Sequence, residues 1–386
     1  MIDRKTGRTT LESFSQDDSA ANGESFSAEI SGNGRYVVFE SHTGNLTAPS
    51  FPTGTAQIFL RDRAAGMTRL LTTNAAGAPA NGSSGQPVIS VDGSAVAFES
   101  TATDLAGVPD GGRPQTVGIY LMSLVTGVRL RLDTVAGERS AGSSMSPAID
   151  ADGRHVVFAS KADLTCPNAG PCPMETRDRN VVTDVYIYNT ESRTTRRVSQ
   201  TQIGGDANGA SYDPAISGDG RFVAFVSEAS NLTSASLGRA SQIYLHDLTS
   251  GATTLVTRTL SGHPVNGSSL RPALSFDGST TVFQSLATDL LCEKVKKCPP
   301  QLEDINLLWD VFVFDVRTNR MARMSADGAD EWMENSRGPS IDSAGRVVAF
   351  GSYHPIDASD AAHDEDLYVV RLGPQALSLV PFPFSL

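Results

Sequence analysis

At 386 residues the chain is long enough for two or three ordinary domains, yet one repeat covers nearly all of it. A formal net charge of -12, from 31 basic and 43 acidic residues, argues against a nucleic-acid backbone or an anionic membrane as partner, because either would be repelled. Hydrophobic residues make up 39%, and no run approaches the roughly 18 apolar residues of a membrane span, so no membrane insertion is expected.

Met1-Ile2-Asp3-Arg4-Lys5 shows neither an apolar stretch nor a small-residue cleavage site, so no export signal is visible in the numbered chain. Residues 2–13, IDRKTGRTTLES, match the second half of a unit seen later as HDLTSGATTLVT at His246 to Thr257. The chain therefore starts in mid-unit, and Arg8 to Glu12 is expected to add an outer strand to the last unit, removing an exposed edge. The tail competes for that slot through Ala376 to Val380, although Pro374, Pro381 and Pro383 disfavour a central strand.

The clearest unit runs from Ser211 to Thr257 and contains four short runs, Pro214 to Ser217, Phe222 to Ser227, Gln242 to Asp247 and Ala252 to Val256, each bounded by turn chemistry. This pattern predicts a four-stranded antiparallel meander, strands A to D. Its first turn recurs at Ser31-Gly32-Asn33-Gly34, Ser90-Val91-Asp92-Gly93, Asp150-Ala151-Asp152-Gly153, Ser217-Gly218-Asp219-Gly220, Ser275-Phe276-Asp277-Gly278 and Asp342-Ser343-Ala344-Gly345. Strand B always carries Phe, at Phe39, Phe98, Phe158, Phe225, Phe283 and Phe350, with Ser two places on. Six copies of a four-stranded unit predict an all-β, six-bladed β-propeller forming a single domain over 1–386. The blades lie at about 25–74, 84–133, 144–199, 211–257, 269–325 and 336–371, with 1–13 as the closing strand and 372–386 as tail.

Strand A opens with Ser and, from the second blade on, carries Pro three residues later, which suits the open edge of an innermost strand. The residue before that position varies: Ser27, Gln86, Ser146, Asp213, Arg271 and Gly338. A varying position on a repeating frame is a place for a site, and Asp213 with Arg271 reads either as a channel-lining binding pair or as a salt bridge between blades 4 and 5. The aromatic residues of strands B and C read as packing.

In an antiparallel meander the A–B and C–D turns lie at one end and the B–C and D–A connections at the other, and only the second end carries long insertions. Function is expected there. Residues 161–183 and 286–309 are the longest loops, and they hold all four cysteines, Cys166 with Cys172 and Cys292 with Cys298, at equal spacing. These read as two local disulfides, with free thiols or a zinc site as the alternatives; disulfides imply an oxidising compartment, periplasm or cell exterior. Trp309, Trp332, Tyr353 and His354 fall on the same end and suit a binding rim, or, for the two Trp, a cap on the seam between blades 5 and 6. Asp357, Asp360 and Asp364 are a Ca2+ candidate lacking the Gly turn and terminal Glu of an EF-hand, so a solvated acidic loop competes; no other cofactor is expected. Asn45-Leu46-Thr47 and Asn231-Leu232-Thr233 match a glycosylation sequon, but their shared place in the repeat favours a turn role.

No G-x-S-x-G elbow, H-E-x-x-H, phosphate loop or dinucleotide fingerprint occurs, and no catalytic residue is assigned. The units S-x-D-G-R-x-V-A-F-x-S followed by Q-I-Y-L-x-D-L-x-x-G-x-x-x-L-V-T resemble the WD40-like propeller repeat of the TolB type. That resemblance implies a partner-binding module of the bacterial envelope; similar propellers gate prolyl-oligopeptidase-type peptidases. The numbered chain shows neither an N-terminal α/β domain nor a hydrolase domain. The reading at this level is a monomeric, non-catalytic scaffold presenting its B–C and D–A loops to a protein, peptide or glycan; the alternative is a propeller enzyme, a polysaccharide lyase or hydrolase working at the channel mouth.

Overall fold

The structure is a computed structural model and describes residues 6–15, 21–47, 51, 54–105, 116–135, 138–139, 142–165, 178–234, 240–259, 261–291, 304, 306–327, 330–331, 335–354, 365–373 and 381–382. The fold is an all-β six-bladed β-propeller whose four-stranded sheets each run antiparallel in chain order. Blade 1 comprises Ser25–Ile30, Tyr36–Ser41, Gln57–Asp62 and Met67–Leu70; blade 2, Ser84–Ile89, Ala95–Ser100, Gly118–Ser123 and Arg129–Arg131; blade 3, Ser144–Ile149, His155–Ser160, Asp184–Asn189 and Thr194–Arg197. Blade 4 comprises Ser211–Ile216, Phe222–Ser227, Gln242–Asp247 and Thr253–Leu255; blade 5, Ser269–Leu274, Thr280–Ser285, Asp310–Asp315 and Arg320–Arg323; blade 6, Ser336–Ile341, Val347–Ser352, Asp366–Arg371 and Pro381–Phe382. The described residues group into two compact units, 1–170 with 188–195, and 171–187 with 196–386. Among them no helix is long and apolar enough to cross a membrane.

Each column of the repeat has a physical task. The serines that open strand A and close strand B face one another and share a hydrogen bond, from Ser25–Ser41 at 3.0 Å to Ser211–Ser227 at 2.8 Å and Ser336–Ser352 at 2.9 Å. A buried hydroxyl pair on the first cross-strand rung satisfies both partners and pins the register, which a one-residue slip would turn inside out. In the A–B turn, Ser217 Oγ donates to Asp219 Oδ1 at 2.6 Å and accepts the Phe222 N–H, while Gly220 takes a positive φ of 70°. The strand-B phenylalanine stacks on the strand-C aromatic directly opposite, as in Phe225–Tyr244 and Phe350–Tyr368, both 5.8 Å between centroids. These rings are buried between sheets: Phe98 and Tyr120 join Val38, Ile58 and Leu60 of blade 1, and Phe283 and Phe312 join Ala224, Ile243 and Leu245 of blade 4. Burying such a ring stabilises by about 2–3 kcal/mol, the main force holding neighbouring blades together.

The sequon segments are structural. Asn231 Oδ1 accepts the Asn208 N–H at 2.9 Å, and Leu232 and Leu46 are fully buried. The Asn-Gly lead into strand A is there because the backbone passes too close for a side chain: a Cβ on Gly267 would lie 2.5 Å from Ala287 N.

Strand C opens with a buried acceptor for a hydroxyl two residues past strand D, Gln242 from Thr257 at 2.6 Å and Asp184 from Ser199 at 2.5 Å. Where that acceptor is Asp, a buried Arg accompanies it, Arg197 at 3.6 Å from Asp184 and Arg323 at 3.8 Å from Asp310. Arg197 is also 2.7 Å from Asp206. Burial outweighs these partners and pushes the Asp184 carboxyl up to about 6.

The chain termini differ from expectation. Pro381–Phe382, not Arg8 to Glu12, pairs with strand C of blade 6, through Val369 and Val370. Residues 6–15 form no strand; Glu12 is ion-paired with Arg63 at 3.1 Å and Phe14 lies 4.2 Å under the Arg61 guanidinium, both on blade 1. Pro381 is tolerated because the outermost strand leaves one edge without ladder bonds, so a missing N–H costs little there. Residues 376–380, the other candidate for this slot, lie outside the described residues.

Candidate functional site

The varying third residue of strand A shares one property that its chemistry hides. Ser27, Gln86, Ser146, Asp213, Arg271 and Gly338 all sit at positive φ, between 49° and 63°, and the A–B ladder slips register there in each blade. This is a β-bulge built six times. The bulge turns its N–H away from the ladder, and in blades 2, 3, 5 and 6 an acceptor on the preceding blade receives it. Glu40 accepts from Gln86 at 3.3 Å, Glu99 from Ser146 at 2.7 Å, Asp213 from Arg271 at 3.0 Å, and Gln284 from Gly338 at 2.9 Å. Three of these acceptors occupy the same place, the residue before the closing Ser of strand B.

Asp213 and Arg271 are thus brought together, but through the backbone. The Asp213 carboxylate binds the Arg271 N–H, burial raises its pKa, and the Arg271 guanidinium points to solvent without an ion pair among the described residues.

Blade 6 breaks the repeat. Its residue before the closing Ser is Gly351, and a Cβ there would overlap Glu365 Oε1, so the Glu365 carboxylate enters from the start of strand C into the space left free. Glu365 forms a two-pronged ion pair with Arg337, whose Nε lies 3.1 Å from Oε1 and whose Nη2 lies 2.8 Å from Oε2. Arg337 Nη2 also donates to Tyr353 Oη at 2.6 Å, with the guanidinium 5.1 Å from the ring centroid. Hydrogen bonding from Arg337, helped by the charge of Arg271, holds Glu365 below the usual carboxylate range. Arg271, Arg337, Gly338, Glu365 and Leu367 line a cleft of about 420 Å³ at the loop-bearing end of blades 5 and 6.

Two other expected residues, Trp309 and His354, are not among the residues that line the cleft and are held by their main-chain groups. The half-buried Trp309 accepts the Ser336 N–H at 2.7 Å through its carbonyl and donates its own main-chain N–H to Asn335 Oδ1 at 3.1 Å, which ties the end of the blade 5 loop to the start of blade 6. The His354 carbonyl accepts the Tyr368 hydroxyl at 2.5 Å, so His354, two residues past strand B, is tied to strand C. Trp332, Cys166, Cys172, Cys292, Cys298, Asp357, Asp360 and Asp364 lie outside the described residues. Arg337 and Glu365 were missed from sequence; the missing side chain at Gly351, in a column otherwise holding Glu40, Glu99, Ala159, Val226 and Gln284, was the available signal.

No family model matches the chain, and no curated protein matches it. Among solved structures, a prolyl endopeptidase aligns at a TM-score of 0.53 and 11% identity, over 94% of this chain and 43% of that one. An oligogalacturonate lyase in complex with manganese aligns at 0.50 and 14%, over 89% of this chain and 72% of that one. TolB from Acinetobacter baumannii aligns at 0.42 and 14%, over 82% of this chain and 57% of that one. The chain thus spans about half the length of the peptidase and TolB chains that it matches, and identities this low speak to fold alone. In fold, this chain is similar to TolB-like six-bladed β-propellers.

Proposed function

We propose that the chain is a binding scaffold that presents the B–C and D–A loop end of blades 5 and 6 to a protein or peptide partner. The observation that carries this reading is the local departure from an otherwise regular frame. Gly351 gives up its side chain, Glu365 and Arg337 lock together in its place, and the resulting 420 Å³ cleft keeps the exposed Arg271 at its wall. A residue that only completed the fold would follow the repeat. The TolB-type repeat supports a protein partner, and the equal spacing of Cys166 with Cys172 and Cys292 with Cys298, read as two local disulfides, supports periplasm or cell exterior as the compartment. Non-reduced peptide mass mapping of the two seven-residue Cys windows tests the latter.

The functional test is binding of the intact chain to peptide and glycan arrays beside two variants. Arg337→Ala with Tyr353→Ala disturbs the cleft, and Arg35→Ala with Arg221→Ala changes exposed arginines near the A–B turns. Loss of array ligands in the first variant and retention in the second is expected. Equal loss in both, or turnover of a sugar polymer by the wild-type chain, sinks the scaffold reading and favours the enzyme.

A further inference from the structure

The fold holds the backbone of Arg271, while its guanidinium acts on Asp213 and Glu365 through its charge alone and makes no hydrogen bond or ion pair among the described residues. The N–H of Arg271 is held by Asp213 at 3.0 Å, and the bulge it occupies exists in all six blades, filled elsewhere by Ser27, Gln86, Ser146, Asp213 and Gly338. The frame therefore needs a positive φ at this place and does not need arginine. An L-residue in that conformation costs about 1–2 kcal/mol, which Gly would avoid. Arg337, its neighbour across the cleft, has its charge taken up by Glu365; Arg271 makes no ion pair among the described residues.

Resting on the scaffold reading of the same cleft, we infer that Arg271 binds the terminal carboxylate of a peptide whose last residue is apolar. The guanidinium fork matches a carboxylate with two parallel hydrogen bonds. Leu367, 48% exposed, supplies an apolar wall in the same cleft. Gly338 has no atom within 4 Å of where its Cβ would be, so an extended main chain can lie against it. A uronate polymer fits less well. The Arg337 guanidinium already lies over the Tyr353 ring, and the carboxylates of Glu365 and Asp366 balance the guanidiniums of Arg337 and Arg271, which leaves no surplus positive charge for a ligand carrying many negative charges. One open guanidinium among carboxylates suits one carboxylate.

The test uses fluorescence anisotropy with the intact chain and three labelled probes: a peptide pool with four randomised positions ending in Leu as the free acid, the same pool as the carboxamide, and trigalacturonate. The free acid is expected to bind at least tenfold more tightly than the carboxamide. Arg271→Gln should erase that preference with an unchanged melting temperature, and Arg271→Lys should keep part of it. The inference is overturned by equal binding of acid and amide, by a preference that survives in Arg271→Gln, by tighter binding of trigalacturonate, or by no acid binding at millimolar concentration. If the preference is absent while the array ligands still depend on Arg337 and Tyr353, the carboxylate assignment alone fails and the scaffold reading stands.

Discussion

Exchanging glycine and side chain at two equivalent bulges separates what the fold requires from what the site requires. Arg271 (φ 54°) and Gly338 (φ 63°) occupy the same position in adjacent blades. In Arg271→Gly the relief of a left-handed side chain, about 1–2 kcal/mol, is partly offset by the greater freedom of glycine in the unfolded chain, about 0.5–1 kcal/mol, so the variant should be neutral to about 1 kcal/mol more stable. In Gly338→Ala the new methyl meets open space, so the same two effects act in reverse and the variant should lose up to about 1 kcal/mol with no steric contribution. Urea unfolding followed by intrinsic fluorescence reads both, with midpoints moving in opposite directions at equal slope. If Arg271→Gly instead lost more than about 1 kcal/mol, the arginine would be holding the blade together, and the argument that it is there for a ligand would collapse.

Other consequences follow from the packing and the charges. Gly267→Ala should cost about 3 kcal/mol, since its Cβ would sit 2.5 Å from backbone that cannot yield, whereas Gly251→Ala, at φ 74° with nothing within 4 Å, should cost about 1 kcal/mol in the same urea assay. Phe225→Ala removes a fully buried ring stacked on Tyr244 and should cost about 3–5 kcal/mol by the same measurement. Asp184, with a folded pKa of about 6 against an unfolded value near 4, binds its proton more tightly when folded. Its contribution to stability is therefore complete below about pH 4 and lost as pH rises through about 6. Thermal midpoints of wild type should accordingly fall relative to Asp184→Asn across that window, and parallel curves would refute the burial argument.

What could be read from sequence was whatever the fold repeats in the same residue types. The Asp-Gly turns, the Phe column and the two Ser columns recur because a positive φ, a stacked ring and a buried hydroxyl pair each admit few substitutes. The bulge was visible only as a varying residue, because what recurs is a backbone angle, and Ser, Gln, Asp and Arg all adopt it when Pro or Ala follows. Asp213 and Arg271 lie together, yet neither of the forms expected for them includes a carboxylate binding a main-chain amide. Arg337 and Glu365 lie 28 residues apart and meet only because Gly351 makes room, so their pairing is a property of three positions together. The N-terminal segment shows the limit of repeat matching. Likeness to strand D predicts a strand there, yet residues 6–15 form none, and Glu12 and Phe14 rest instead against Arg63 and Arg61.

The account turns on the location of the binding surface, and hydrogen–deuterium exchange of the intact chain with and without a ligand taken from the peptide array addresses it directly. Protection is predicted at the amides of residues 335–338, 351–354 and 365–367, around the cleft and at the end where strands A and C begin. Protection confined to the opposite end, at the turns 217–221, 275–279 and 342–346, would contradict it.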